Sequence, residues 1–155
     1  MGDGVAMSEM DQEGTASENR DKGYGVKRIA FPVQDHLGLD DTIFEHFGRA
    51  PAYLLIDISQ DGTILKTEVL DNPYQGEHDP GVIPSLLANA GVNVLICRGM
   101  GRRAVEYFQR YGVTVIRGAY GKVRDILEMY LANTLVSTEY KPSKKWKDEH
   151  ESGGL

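Results

Sequence analysis

The chain has 155 residues, 41% of them apolar and 26% charged, the composition of one ordinary globular domain with a sizeable core. Its net charge of −6 sits largely in residues 1–25, with six acids and two bases, while residues 26–135 hold thirteen acids and eleven bases, without the basic excess of a general nucleic-acid binder. The longest apolar runs, such as Ala52–Ile56 and Val92–Cys97, are too short to span a bilayer, and one cysteine makes no internal disulfide framework and fits a reducing cytoplasm.

Residues 1–25 are polar, glycine-containing and aperiodic, so a disordered acidic tail is expected there. They also lack the basic start and apolar stretch of a secretory signal. Val26–Val33 (V-K-R-I-A-F-P-V) reads as the first strand, with Pro32 near its end. Ala52–Ile58 and Ile64–Leu70 flank Asp61-Gly62, a hairpin signal. Asp79-Pro80-Gly81 opens a helix in which Ile83, Leu86, Leu87 and Ala90 recur at helical spacing, and Gly91 stops it. Pro84 is tolerated because it falls in the first turn, where the backbone N–H lacks a helical partner.

Val92–Cys97 predicts a buried strand, and Arg102–Tyr111 a helix with Ala104, Tyr107, Phe108 and Tyr111 on one face and Gly112 at its end. Val113–Ile116 is a further strand. A helix over about 122–132 carries Val123, Ile126, Leu127, Tyr130 and Leu131 at helical spacing. From residue 136 the chain is lysine-rich and then acidic, so a flexible charged tail is expected over 136–155. The order β, β-hairpin, α, β, α, β, α implies parallel strand-helix-strand units beside an antiparallel hairpin, hence a five-stranded mixed sheet between helices. Ligands of such sheets gather beyond the carboxyl ends of the parallel strands.

Four features converge on that edge. In C-R-G-M-G-R-R-A (97–104), Gly99 and Gly101 would let backbone approach a ligand, and the start of the Arg102 helix offers unpaired N–H groups. Arg98, Arg102 and Arg103 add positive charge. The turn lacks the third glycine of a dinucleotide fingerprint and the Lys-Ser/Thr of a P-loop. Cys97 ends its strand, either as small apolar filler or as a ligand. In I-F-E-H-F-G-R-A-P (43–51), Phe44 and Phe47 can anchor the segment, leaving His46 available and Gly48-Arg49 as a second anion-binding turn. In E-H-D-P-G (77–81), His78 precedes a helix start. Two loop histidines beside glycine-rich turns point to a metal or metallocluster.

Those segments, with R-I-A-F-P-V, N-P-Y and Y-L-A-N-T-L, resemble the dinitrogenase iron–molybdenum cofactor biosynthesis family, the domain shared by NifX-like and NafY-like carriers, over residues 27–135. The resemblance implies a ribonuclease-H-like α/β/α sandwich over residues 26–135 that carries an iron–sulfur or iron–molybdenum cluster between donor and acceptor proteins. It implies His46, Arg49, His78, Gly99, Met100, Gly101 and Arg102 as cofactor-binding residues. Arg98 departs from it, standing where glycine is common and narrowing the freedom of the turn.

One cysteine cannot hold an ordinary cluster, which takes four thiolates from its protein. A preassembled cluster arrives with most of its coordination filled and needs only one or two exchangeable ligands plus positive charge. His78, then His46, then Cys97 are the candidate metal ligands. A non-enzymatic cytoplasmic carrier, monomeric or weakly dimeric, is therefore expected. The rivals are a small-anion or nucleotide-binding regulatory module that uses only the glycine turn, and a scaffold that binds protein partners. A nuclease would need clustered carboxylates beginning with an acid on the first strand, and Val26–Val33 has none.

Overall fold

A computed structural model describes residues 26–76 and 79–138 of the chain. The expected tail over 1–25, residues 139–155 of the second tail, and His78 lie outside the described residues. In chain order the strands and helices are β1 (Lys27–Val33), β2 (Ala52–Ile58), β3 (Ile64–Asp71), α1 (Val82–Asn89), β4 (Val94–Ile96), α2 (Arg102–Arg110), β5 (Thr114–Ile116) and α3 (Val123–Leu131). Short 3-10 turns occupy Gly38–Asp40 and Phe47–Arg49.

These elements form one five-stranded sheet in the order β3-β2-β1-β4-β5. β1, β4 and β5 run parallel, and β2 pairs antiparallel with both β1 and β3. The predicted hairpin pair is thus joined by a second antiparallel pair, because the chain between Val33 and Ala52 turns back beside β1 instead of crossing the sheet. The hairpin turns on Gly62, whose φ of +90° is a conformation that side chains disfavour.

Alternation along the strands divides the core in two. Ile29, Phe31 and Val33 of β1 and Leu54 and Ile56 of β2 face Val123, Ile126 and Leu127 of α3. Ala30, Tyr53, Leu55 and Leu95 face Ile83 and Leu87 of α1 and Ala104 and Phe108 of α2. All seven residues of β2 are buried because helices cover both faces of the strand, which is why A-Y-L-L-I-D-I reads as nearly unbroken apolar sequence. On α2 only Ala104 and Phe108 are fully buried, and Tyr111, predicted on the same face, is exposed. Tyr111 follows the last helical residue as its cap, so it leaves the helix stripe.

Two buried acids brace the frame at opposite edges. Asp57 takes a bidentate ion pair from Arg28, with Nε–Oδ1 at 2.8 Å and Nη2–Oδ2 at 3.0 Å, while Arg28 Nη1 donates to Ala90 O at 2.8 Å. At the other edge Asp41 is 1% exposed and accepts the backbone N–H groups of Asp35, Leu37 and Thr42 at 2.8–3.2 Å. That carboxylate folds the β1–β2 connection over the ends of the strands, and Val123 N donates to Asp41 O at 2.9 Å, tying the connection to α3. Past α3 the chain returns to β5: Arg117 N donates to Ser137 Oγ at 2.9 Å and Thr138 N to Arg117 O at 2.8 Å.

Candidate cofactor-binding site

The parallel strands β1, β4 and β5 end at one edge, and α2 and α3 begin there, following β4 and β5 directly. β3 also ends at this edge, so α1 starts from it as well. The positive ends of the helix dipoles are therefore directed at the same rim.

On that rim the structure brings two of the predicted turns together. His46 and Gly99 form an isolated parallel bridge, with Gly99 N donating to Glu45 O at 3.1 Å and Phe47 N to Gly99 O at 3.4 Å. E-H-F-G-R-A-P thus lies beside C-R-G-M-G-R as a minimal extra strand. Phe47 anchors it in the core, its ring 5.7 Å from that of Phe108 in an edge-to-face contact. His46 is half-buried in extended backbone at the rim, next to the glycine turn.

A polar clamp holds the segment from below. Tyr53 Oη, fully buried, donates to Phe47 O. Asn72, 4% exposed, donates through Nδ2 to Ala50 O at 2.9 Å and Gly48 O at 3.2 Å, and its Oδ1 accepts Tyr74 N at 2.8 Å. The sequence reading missed Asn72 and Tyr53 as determinants of the site. N-P-Y after a strand was the visible signal, since a buried asparagine there must find several backbone partners.

The two glycines of the turn differ. Gly99 is buried and its N–H donates to Glu45 O, so its backbone builds the turn. Gly101 is exposed, caps α2 with an ordinary φ of −72°, and a Cβ added there would meet nothing within 4 Å. Its value is open space above the helix start, where no side chain caps the first turn and no acid occupies it. Met100 is half-buried between them and packs on the α1–α2 side of the core.

The arginines also separate. Arg49, Arg102 and Arg103 are exposed, and their guanidinium groups make no hydrogen bond or ion pair among the described residues. Arg98 lies 5.9 Å from the centre of the Tyr120 ring. Its φ is not positive, so the departure from glycine at this position brings no backbone strain. Arg117, not singled out from sequence, reaches the turn from the end of β5 and donates from Nη1 to Met100 O at 3.4 Å. Its place at a strand end just before Gly118 was the signal that could have found it.

Cys97 lies directly beneath the turn, 0% exposed, among Tyr53, Phe47 and Ala104. Burial pushes its thiol up to about 12, against a smaller lowering by Arg117. With no metal bound it is a protonated core thiol at neutral pH. Among the described residues, no three His, Cys, Asp or Glu side chains come close enough to hold a metal ion.

The rim of this three-layer α/β domain gathers the starts of its helices, His46, Arg49, Arg102 and Arg103. Residues 26–133 match the family model described as dinitrogenase iron-molybdenum cofactor, and the chain belongs to that family. Among curated proteins it is similar to the uncharacterized protein MJ0580 of Methanocaldococcus jannaschii, 27% identical over 116 residues that cover 74% of this chain and 93% of the relative. The fold is similar to the crystal structure of PH0822, with TM-score 0.62, 29% identity, and 77% and 99% of the two chains covered. It is also similar to the apo form of the orange protein from Desulfovibrio gigas, with TM-score 0.61, 26% identity, and 72% and 92% covered. A putative NifB protein from Thermotoga, TM1290, gives TM-score 0.60, 25% identity, and 76% and 98% covered.

Proposed function

We propose that the unit over residues 26–135 is a non-enzymatic binding or carrier protein for an iron–sulfur or iron–molybdenum cluster, received from a donor protein and passed to an acceptor. The observation that carries this reading is the His46–Gly99 bridge, which sets a half-buried histidine beside the turn that leads into the uncapped start of α2. Family membership supports it.

The donor set suits such a cargo. A bare metal ion or a cluster assembled on the protein needs several side-chain ligands. A preassembled cluster needs one or two exchangeable ones and compensation for its negative charge. His46 would supply one ligand, and His78, which precedes α1 in the sequence, the second. Arg49, Arg102 and the start of α2 would hold the charge, with Gly101 leaving room for close approach and Met100 bordering it. Cys97 is left out of this ligand set because its side chain is fully buried. Incomplete ligation suits a carrier that releases what it holds.

Anaerobic gel filtration of the protein mixed with cluster, following co-eluting iron and molybdenum, tests the reading. The parent is expected to carry metal, and His46→Ala and His78→Ala to carry less. Retention should fall further below about pH 6, where a free imidazole protonates and competes with the metal. If both variants keep metal like the parent while Arg49→Ala and Arg102→Ala lose it, the rim is a site for a simple anion instead.

A further inference from the structure

We propose that two copies of this chain join edge to edge through β3, antiparallel and centred on Thr67, into one continuous sheet. β3 borders the sheet, and among the described residues only β2 pairs with it. Its exposed side chains include Ile64 at 38%, Leu65 at 54% and Val69 at 41%. An eight-residue edge strand carrying such side chains is a template for a further strand.

The charges on β3 select the partner. Lys66 and Glu68 lie on the same face of the strand, one residue either side of Thr67, and pair with each other at 3.0 Å. Under two-fold antiparallel pairing about Thr67, Lys66 stands opposite the partner's Glu68 and Glu68 opposite the partner's Lys66. Opposite charges directly across a strand pair are favourable and like charges are not. Centring the pair on Glu68 or on Lys66 would set like charges face to face. Centring it between Thr67 and Glu68 would set Lys66 against Val69 and Ile64 against Asp71. Only the Thr67 centre matches charge with charge. A bulge leaves Leu65 of β3 unmatched between Lys66, opposite Asp57, and Ile64, opposite Ile58, so the regular pairing is confined to residues 66–68. The contact is isologous, so it closes at two copies.

Sedimentation of the full chain from micromolar to millimolar concentration should show a monomer–dimer equilibrium. Lys66→Glu and Glu68→Lys should each weaken it by about tenfold, since each reversal converts two attractive cross-strand pairs into repulsive ones. The double exchange K66E/E68K should restore it. Glu68→Lys is the sharper variant, because it reduces the net negative charge of the chain and would strengthen association if overall repulsion were in control. Circular dichroism confirms that each variant is folded. A parent that stays monomeric at millimolar concentration overturns the proposal. So does a dimer indifferent to both single reversals, or one that the double exchange fails to restore.

Discussion

Cys97 shows how burial decides the chemistry of a side chain. At the end of a strand, ahead of a glycine turn, it has the sequence position of a ligand, yet it packs against Tyr53 and Phe47 with no exposure. Thiol reagents should leave it untouched at pH 8 in the native protein and modify it once denaturant is added. Its raised folded-state value has a consequence for stability. The unfolded thiol ionises near 9 while the folded one holds its proton to about 12, so the unfolded state binds fewer protons across that window. Stability is fully present below pH 9 and declines as the pH rises toward 12. Tyr53, whose hydroxyl burial also pushes upward, acts in the same direction. Cys97→Ala should flatten the alkaline fall in melting temperature, and an unchanged slope would mean that Cys97 does not drive it.

Asn72 is the residue through which the rim depends on the core. Replacing it with alanine strands the carbonyls of Gly48 and Ala50 and the N–H of Tyr74. The expected cost is about 1–3 kcal/mol in chemical denaturation, with a loss of cluster retention as the His46 segment loosens. Equal retention by folded Asn72→Ala protein would show that the clamp contributes stability alone.

At the scale of elements, the loops at the rim matter more than the helices behind them. The β5–α3 connection turns at Gly118, where φ is +93° and an added Cβ would run into Thr138. Gly118→Ala should therefore cost more than about 1 kcal/mol and lower the melting temperature. Gly101→Ala should be almost silent in the same assay, because its φ is ordinary and the space is open. Its effect belongs in binding: if backbone approach at Gly101 matters, cluster retention drops while stability holds. The contrast between these two variants separates a glycine needed for the fold from one needed for access. The strands and helices themselves were largely legible. Elements predicted over 52–58 and 102–111 appear at Ala52–Ile58 and Arg102–Arg110, since apolar periodicity and glycine stops are local signals.

For the whole molecule, the Arg28–Asp57 pair stands at the edge opposite the rim. Asp57→Ala leaves Arg28, with 11% of its side chain exposed, only the looser carboxylate contact with Glu68 at 3.6 Å, and should cost about 2–3 kcal/mol. Because the pair is remote from the rim, the protein that remains folded should retain cluster like the parent. A selective loss of binding would link the two edges. β1 carries no acid that could begin a two-metal site, so the purified chain should not cleave an RNA–DNA hybrid with magnesium or manganese present. Appearance of metal-dependent cleavage would remove the carrier reading.

The sequence by itself determined the five strands, the three helices and the two glycine–arginine turns, because each follows from short-range patterns of polarity and turn chemistry. Tertiary structure alone decided that β2 runs against β1, that the His46 turn bridges to Gly99, that Asn72 clamps it and that Arg117 reaches Met100. These are contacts between residues 17–53 apart in the chain, and no local period records which segments meet. It also divided the arginines and the glycines, for a guanidinium over an aromatic ring and an exposed one look alike in sequence. The same holds for a committed N–H and an open one, because only packing determines which polar groups find partners and which remain to receive a ligand.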